Sequence, residues 1–287
     1  MRLCRLNACL KAWPVPLARP VIDSHRSRLF CQTFGQGEDV VLVHGWGMHG
    51  GLLRDFAERL AQTYRVTIVD LPGHGRSPML VDWSTESIAN LLAATVSEKA
   101  HWIGWSLGAT LVLFLSGVFP DRVRSIGMIA GNPRFSAGKN WPHAMERNVL
   151  RAFQRDLRED PELTLLRFLK LQTMEMENSR RVYSYLKNWL KDYPPHPDAL
   201  AAGVDILLSA DLRDRLRILL QPVLVLLGAR DALVPVAVGE SISRLNSSIE
   251  VNVLLKAGHI PFITHRDQCL TAVLAFLAKH GSSGHGA

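Results

Sequence analysis

Residues 101–108 read His-Trp-Ile-Gly-Trp-Ser-Leu-Gly, and this stretch decides the fold. It begins as an apolar run of strand length and continues as a helical pattern from Leu107. A serine between two glycines at such a junction is typical of a nucleophile elbow, a strained strand-to-helix turn that exposes the hydroxyl, here that of Ser106. We expect glycine at 104 and 108 because a side chain there would collide with the neighbouring helix or strand.

A serine hydroxyl is a weak nucleophile near neutral pH, so it needs a general base, and that base needs an acid that orients it. After an elbow, the acid and then the histidine follow in chain order, each in a loop behind a late strand. Asp231 lies in Gly-Ala-Arg-Asp behind one strand pattern, and His259 lies in Ala-Gly-His-Ile-Pro behind the last. We predict Ser106 as nucleophile, His259 as base and Asp231 as orienting acid.

A developing oxyanion needs two hydrogen-bond donors, and the sequence offers two positions for them. The first is the backbone N–H of Leu107, at the start of the elbow helix, where the helix dipole favours negative charge. The second is the N–H of Trp46 in His-Gly-Trp-Gly, the loop behind the first core strand. We expect His44 to orient this loop without acting as a second base, and the Trp46 ring to form a wall of the substrate pocket.

From residue 39 onward, short apolar runs alternate with longer helical patterns. The runs predict strands, buried on both faces, at 40–44, 66–70, 101–104, 123–130, 223–228 and 251–255. The helical patterns between them fall at 52–62, 84–99, 107–119, 237–245 and 268–280. The alternation predicts a doubly wound, mostly parallel α/β sheet, with 29–34 as an edge strand.

The Gly/Pro-rich loop 70–77 lacks the spacing of a phosphate-binding loop, and we interpret it as structural.

The alternation stops between Asn132 and Leu220, where only helical patterns occur, at 145–157, 162–174, 180–192 and 197–208. A helical insertion between two strands of an open sheet predicts a lid over the edge of the sheet where such folds bind ligands. We divide the chain into an extension (1–28) that is expected to be poorly ordered, a core (29–133 and 221–280), a lid (134–220) and a flexible tail (281–287).

The net charge of +7 is unevenly distributed along the 287 residues. Residues 1–28 hold six bases and one acid, and residues 134–191 hold twelve bases and seven acids. The rest of the chain holds 15 bases and 18 acids, so the main body is mildly acidic. A nucleic-acid binder would spread a basic stripe over its main fold, and we therefore predict no nucleic-acid partner.

Other features bear on membranes, metals and compartment. No segment approaches the roughly 18 uninterrupted apolar residues of a membrane span, so no membrane partner is predicted.

Four cysteines lie far apart without a CxxC motif, which favours reduced thiols and a cytoplasmic protein. The eleven histidines show no metal-binding spacing, so we predict no metal or cofactor. Lys11 and two prolines interrupt the apolar run of the leader, and the role of residues 1–28 stays open.

Several of these motifs resemble the α/β-hydrolases, namely HGWG, DLPGHGRS, GWSLG, GARD and GHIPF. Longer stretches are similar to one family among them, the pimeloyl-acyl-carrier-protein methyl ester esterases, and fall at 43–48, 102–108, 132–136, 141–142 and 167–174. The last stretch lies in the predicted lid, which varies most with substrate, so it discriminates best. The resemblance covers residues 29–278.

The resemblance implies a monomeric esterase that demethylates pimeloyl-acyl-carrier-protein methyl ester in biotin synthesis through an acyl-serine intermediate. It carries the nucleophile, base and orienting roles to the same three residues, and oxyanion or substrate contacts to Trp46, Leu107 and His259. It places the acyl site along the lid residues Phe153, Gln154, Arg155, Asp156 and Leu157. Acyl carrier proteins are acidic, so the basic lid would steer one toward the site.

Alternatives stay open on two points. The lid arginines form either a docking surface for the carrier or a solvated helix face paired with Glu159 and Asp160; they are Arg147, Arg151, Arg155 and Arg158. For the function, the rivals are a general short-chain carboxylesterase that uses the same residues on small free esters, and a catalytically silent binding protein of the same fold. The complete Ser, His and Asp set disfavours the silent protein.

Overall fold

The computed structural model describes residues 21–22, 28–174, 176 and 178–281. Most of the predicted extension and all but the first residue of the predicted tail therefore lie outside the described residues. The described strands are β1 (Val21–Ile22), β2 (Cys31–Phe34), β3 (Asp39–Val43), β4 (Arg65–Val69), β5 (Met79–Leu80), β6 (Ala100–Trp105), β7 (Val123–Ile129), β8 (Val223–Gly228) and β9 (Glu250–Leu254).

Of the eleven α-helices of the same residues, all but α8 and α10 correspond to predicted patterns. They are α1 (Arg54–Leu60), α2 (Thr85–Ala93), α3 (Leu107–Val118), α4 (Arg147–Glu159), α5 (Pro161–Thr173), α6 (Ser179–Asp192), α7 (Pro197–Ser209), α8 (Arg213–Ile218), α9 (Val238–Leu245), α10 (Pro261–Thr264) and α11 (Arg266–Lys279). Two short 3-10 helices, Gly50–Leu53 and Pro120–Arg122, precede α1 and β7.

Seven strands form one sheet in the order β2-β4-β3-β6-β7-β8-β9. β2 is the antiparallel edge strand beside β4, and every other neighbouring pair is parallel. The strands β3, β6 and β8 are buried along their whole length, as expected of apolar strands covered on both faces. The predicted doubly wound, mostly parallel sheet is confirmed, and so is the edge strand predicted at 29–34, which the structure shows to be antiparallel.

The last strand departs from the prediction of burial on both faces. β9 lies at the other edge of the sheet and pairs only with β8, so Asn252 and Val253 remain exposed. The helix predicted at 84–99 is also too long, because α2 already ends at Ala93. The hydroxyl of Thr95 donates to the carbonyl of Leu92 over 2.7 Å and closes the last turn. The short elements β1, β5, α8 and α10 were not predicted, since two to six residues carry too little periodicity.

Between β7 and β8 the chain forms α4 to α8 and adds no strand to the main sheet; we call residues 134–220 the helical insertion. The chain just before α8 is tied back to the start of the insertion, because the N–H of Leu212 donates to the carbonyl of Pro133 over 2.8 Å. Asp211 reinforces this closure through ion pairs with Arg134 and Arg213. These guanidinium groups, Arg213 foremost through its hydrogen bond, lower the pKa of Asp211. That the insertion acts as a lid stays a prediction.

Among the hydrogen bonds that fasten the insertion to the core, two come from the loop behind β3. The indole N–H of Trp46 donates to the carbonyl of Leu200 in α7 over 2.8 Å. Nε2 of His49 lies 2.9 Å from the carbonyl of Trp189 in α6. Since Trp46 and His49 both lie behind β3, the insertion covers the end of the sheet at which the parallel strands finish. Among the described helices, none combines the length and apolarity needed to cross a membrane.

Candidate active site

The nucleophile elbow forms where β6 passes into α3. Ser106 adopts φ 55° and ψ −117°, a left-handed conformation that L-residues adopt only under constraint. A Cβ built on Gly104 would lie 2.3 Å from the carbonyl oxygen of Gly108, and one built on Gly108 would lie 2.3 Å from the carbonyl oxygen of Val43. Both glycines are therefore required by close backbone packing, as predicted.

The elbow brings three predicted residues into one hydrogen-bonded chain. Oγ of Ser106 lies 2.9 Å from Nε2 of His259, and Nδ1 of His259 lies 2.8 Å from Oδ2 of Asp231. An ionised carboxylate only accepts, so Nδ1 carries the proton and donates to Asp231. Nε2 is then free to accept the proton of Ser106. All three side chains are buried, which strengthens their electrostatic interactions.

Backbone contacts hold the acid and the base in place. Oδ1 of Asp231 accepts the N–H groups of Leu233 and Val234 over 2.8 and 3.0 Å, which leaves Oδ2 for the histidine. The N–H of Arg230 donates to the carbonyl of Ala257 over 2.9 Å and so joins the two loops that carry the pair. The orientation of the imidazole is thus fixed by the ends of β8 and β9.

The two predicted oxyanion donors lie behind neighbouring strands. β3 pairs with β6 in parallel register, with Val43 opposite Gly104, so the loop that holds Trp46 meets the start of α3. Neither the N–H of Trp46 nor that of Leu107 donates to another residue that the structure describes. Both donors are thus available to a ligand, and their assignment to the oxyanion stays a prediction.

His44 is held in the neutral form behind this loop. Its Nδ1 donates to the carbonyl of Gly45 over 2.8 Å, and its Nε2 accepts the N–H of Leu71 over 2.9 Å. Complete burial lowers the pKa of His44 to about 3. Both ring nitrogens are therefore occupied by structural bonds, in agreement with the expectation that His44 orients the loop.

Aromatic rings from the insertion close over the elbow. The Trp46 ring contacts Phe168 of α5 and Phe153 of α4 edge to face, with ring centroids 4.8 and 5.2 Å apart. The two phenylalanines also contact each other at 5.7 Å. The three rings thus form an apolar cluster at the loop that holds Trp46, and their role as a wall of the substrate pocket stays a prediction.

Comparisons with known proteins agree with this geometry. The family model described as alpha/beta hydrolase fold matches residues 40–266. The chain is 43% identical over 252 residues to the pimeloyl-[acyl-carrier protein] methyl ester esterase of Methylococcus capsulatus, with 88% of this chain and 99% of that protein covered. For the protein of the same name from Aliivibrio salmonicida, the identity is 38% over 250 residues, with 87% and 95% covered.

The chain belongs to this esterase family. The predicted resemblance and the predicted α/β-hydrolase fold are both confirmed. Solved structures share the fold of the esterase: an esterase from Exiguobacterium antarcticum has a TM-score of 0.80 at 19% identity, over 88% of this chain and 96% of that one. A thermophilic esterase from Thermogutta terrifontis has a TM-score of 0.74 at 23% identity, over 88% and 94%.

The predicted acyl-site residues of the esterase fall into different environments. Phe153 reaches Trp46, whereas the amide of Gln154 hydrogen-bonds to Asp205 of α7 and Asp156 pairs with Arg167 of α5 at 3.3 Å. Of the other two predicted residues, Arg155 is exposed and Leu157 is buried. The structure therefore places one of the five against the elbow loop, and a substrate role for the other four stays a prediction.

Two residues of α5 for which the sequence predicted no role, Phe168 and Gln172, lie on the same face of the helix. Phe168 contacts Trp46, and Gln172 follows it by four residues on the same helix face. Gln172 is 2% exposed, and neither of its amide atoms hydrogen-bonds to a residue within the described chain. A buried amide without a partner is costly, which points to a ligand contact. Both residues belong to the stretch 167–174 that carried the family resemblance, so that stretch held the signal.

The lid arginines of the esterase are solvent-facing. All four are exposed, and none forms an ion pair with another described residue; they are Arg147, Arg151, Arg155 and Arg158. Pairing with Glu159 and Asp160 is therefore wrong, because Asp160 instead caps α5 by accepting the N–H of Leu163 over 2.9 Å. A solvated face and a docking surface both remain compatible with the exposure.

The Gly/Pro-rich loop behind β4 is held by its own first residue. Asp70 accepts the N–H groups of Gly50 and Arg76 over 2.6 and 2.8 Å, and its carbonyl accepts the hydroxyl of Ser77 over 2.6 Å. β4 lies two strands from β6, on the side away from the strand behind which Asp231 lies. The loop therefore has a structural role beside the elbow, as predicted.

Proposed function

We propose that this esterase hydrolyses the methyl ester of pimeloyl-acyl-carrier protein and releases pimeloyl-acyl-carrier protein and methanol. The observation that carries the chemistry is the buried chain of hydrogen bonds from Ser106 through His259 to Asp231. The substrate follows from relatives that carry this name at 43% and 38% identity over nearly the whole chain. As part of the same proposal, the protein acts as a cytoplasmic monomer without metal or cofactor.

The first half of the reaction transfers the acyl group to the enzyme. Nε2 of His259 takes the proton of Ser106 as Oγ attacks the ester carbonyl, and Asp231 stabilises the imidazolium that forms. The carbonyl oxygen becomes an oxyanion, which the N–H groups of Trp46 and Leu107 stabilise. When the intermediate collapses, His259 returns the proton to the leaving methoxide, so methanol departs and an acyl-serine remains.

The second half returns the enzyme to its starting state. A water molecule gives a proton to His259 and attacks the acyl-serine carbonyl, and the same two N–H groups stabilise the second oxyanion. Collapse breaks the bond to Oγ, which recovers its proton from the imidazolium. The product leaves with a free carboxyl group. One donor in such a site contributes about 3–4 kcal/mol to lowering the barrier.

The apolar wall and the basic insertion support the choice of substrate. The rings of Trp46, Phe153 and Phe168 provide a surface for the methylene chain of the acyl group. An acidic carrier protein would be attracted by the exposed arginines of α4, none of which is neutralised by a described acid. Cys31 and Cys269 are free thiols, which fits a reducing compartment.

Complementation tests the proposed function most directly. The gene is expected to restore growth without biotin in a strain that lacks this esterase, whereas the Ser106→Ala variant should not. Purified enzyme should release methanol from carrier-bound pimeloyl methyl ester. If the protein cleaves small model esters but neither rescues growth nor acts on the carrier-bound ester, the general short-chain carboxylesterase is the correct assignment.

A further inference from the structure

The loop behind β3 that carries the proposed oxyanion donor of Trp46 is held from two sides. On the core side, a Cβ built on Gly45 would lie 3.1 Å from Cβ of Ser106, so this end of the loop packs on the elbow. On the other side, helices of the insertion contact Trp46, Gly47 and His49. The position of the loop therefore depends on the insertion as well as on the sheet.

One of these contacts is a close approach at Gly203, in the middle of α7. A Cβ built on Gly203 would lie 2.6 Å from Cδ1 of Trp46 and 3.3 Å from Cδ2 of Leu107. Glycine weakens the interior of a helix relative to alanine, so a glycine at this position needs a compensating reason. The reason is that α7 lies directly against the side chains of the two residues that carry the proposed oxyanion donors.

The Trp46 ring has little room to move away from α7. Its indole N–H donates to the carbonyl of Leu200, three residues before Gly203 on the same helix, over 2.8 Å. Phe153 and Phe168 contact the ring from α4 and α5, and Trp46 is 1% exposed. Because the ring is enclosed, a methyl group added at 203 would displace the Trp46 backbone, whose N–H is the donor.

The residues that follow Trp46 are also held by the insertion. Gly47 has φ 71°, and a Cβ built on it would lie 2.6 Å from Cδ1 of Leu165 in α5. Nε2 of His49 lies 2.9 Å from the carbonyl of Trp189 in α6. The backbone on both sides of the donor is thus fixed, on one side by the elbow and on the other by α5 and α6.

We propose that the insertion completes the oxyanion site, with Gly203 as the residue that positions the N–H of Trp46. The close approach of α7 sets the place of the indole, and the indole sets the place of the backbone to which it is attached. The catalytic rate on every ester, including a small ester without a carrier, then depends on α7. The inference rests on the proposed function, because the N–H of Trp46 receives its role there.

Gly203→Ala tests the inference on methyl butyrate and on carrier-bound pimeloyl methyl ester. The variant should lower kcat about tenfold or more on both esters with little change in KM, because a displaced donor weakens binding of the transition state alone. A loss confined to the carrier-bound ester, or a rise in KM alone, would overturn the inference. Gly117→Ala is the matched control, since this glycine of α3 faces Arg215 of the insertion, and its kcat should stay unchanged.

A tetrahedral adduct reports on the donor directly. With butyl trifluoromethyl ketone, Oγ of Ser106 adds to the carbonyl carbon, its proton passes to His259, and the ketone oxygen becomes an oxyanion. In Gly203→Ala, the inhibition constant of this ketone should rise by the same factor by which kcat/KM for methyl butyrate falls. An unchanged inhibition constant would overturn the inference, because the donors would then still be in place.

Trp46→Phe tests whether the effect travels through the indole. This variant keeps the backbone N–H and removes the bond to Leu200, so it should itself lower kcat on both esters and weaken inhibition by the ketone. It therefore serves as the test if circular dichroism shows that Gly203→Ala does not fold. The smaller ring leaves room for a methyl group, so adding Gly203→Ala in this background should cost less than about twofold in kcat. An equal cost in both backgrounds would overturn the inference.

Failure of the proposed function would be visible in the unsubstituted enzyme. Methyl butyrate hydrolysis without turnover of the carrier-bound ester would overturn the proposed substrate, and methyl butyrate with the ketone would still decide the inference. Esterase activity that survives in Ser106→Ala would overturn both proposals.

Discussion

The indole N–H of Trp105 donates to the backbone carbonyl of His259 over 2.8 Å, so the residue that precedes the proposed nucleophile holds the loop that carries its base. Trp105 is buried, and Phe262 packs against its ring. The bond joins the end of β6 to the loop behind β9 across the width of the site. We therefore expect the 2.9 Å separation between Ser106 Oγ and His259 Nε2 to depend on it.

Trp105→Phe is expected to lower kcat about tenfold or more with little change in KM, because small displacements of a catalytic group are costly. Trp102→Phe is the matched control on the same strand, since it loses an indole bond to the carbonyl of Arg122 at 3.0 Å. Both variants should lose about 1–2 kcal/mol of stability in urea unfolding. Steady-state kinetics that show the same kcat for the two variants would contradict the positioning role of Trp105.

Asp231→Asn should preserve the fold and lower kcat about 10⁴-fold, the loss seen when the orienting acid of a serine triad becomes an amide. The remaining carbonyl oxygen can still accept the N–H groups of Leu233 and Val234. The amide N–H₂ then faces Nδ1 of His259 and favours the tautomer that cannot accept the serine proton. Circular dichroism checks the fold and ester hydrolysis checks the rate. A loss of less than tenfold would assign the orienting role to another group.

Gln172→Met is expected to stabilise the protein and weaken substrate binding together. The substitution keeps the shape of the side chain and removes two buried amide atoms that lack described partners, so the free energy of unfolding should rise by about 1–3 kcal/mol. KM for carrier-bound pimeloyl methyl ester should rise, while methyl butyrate hydrolysis should not change. Lower stability together with unchanged KM would mean that the amide has a structural partner.

Charge reversal at Arg151 and Arg155 should lower kcat/KM for the carrier-bound ester more than for a free methyl ester. The difference should shrink as salt is raised, because exposed charges are screened. Lys99→Glu is the control, since Lys99 is exposed at the beginning of β6, the opposite end of the strand from the elbow. Equal losses on both substrates would exclude carrier docking on this face of α4.

Stability should fall as the pH is lowered from about 6.5 toward 4, with a contribution from His101. Burial is the main cause that lowers the pKa of His101 to about 4, from a usual value of 6.5. Between these values the unfolded chain binds the proton and the folded protein does not, so acid favours unfolding. His101→Gln should reduce the loss of unfolding free energy between pH 7 and 4.5 in urea titrations. A steeper loss of unfolding free energy in the His101→Gln variant would contradict the contribution assigned to His101.

The sequence was most informative where chemistry restricts the choice of residue. The need for glycine at 104 and 108 could be predicted because no side chain fits there. That Asp231 and His259 lie in hydrogen-bonding sequence with Ser106 could be predicted because each follows a strand in the chain order that an elbow requires. The parallel strands of the interior were recognisable because burial on both faces leaves only apolar residues. Local constraints of this kind do not depend on distant parts of the chain.

Features that depend on distant contacts were not predictable in the same way. The exposure of β9 follows from its place at the edge of the sheet, which its own residues do not encode. The partners of Gln154 and Asp156 lie on other helices of the insertion, and the burial of Gln172 depends on the elements that pack against α5. The packing of the helices decides which side chains reach the site. Helical periodicity alone does not show which residue of another helix a given side chain contacts.

The closure between Pro133 and Leu212 gives the catalytic core a form of modularity. Because the N–H of Leu212 donates to the carbonyl of Pro133 at 2.8 Å, residues 134–211 leave and rejoin the fold at a gap that a short turn could bridge. A different cover of any length could be spliced at these two residues without moving the ends of β7 and β8. The architecture thus separates the cover from the elbow, so the segment between these two residues could be exchanged as one cassette.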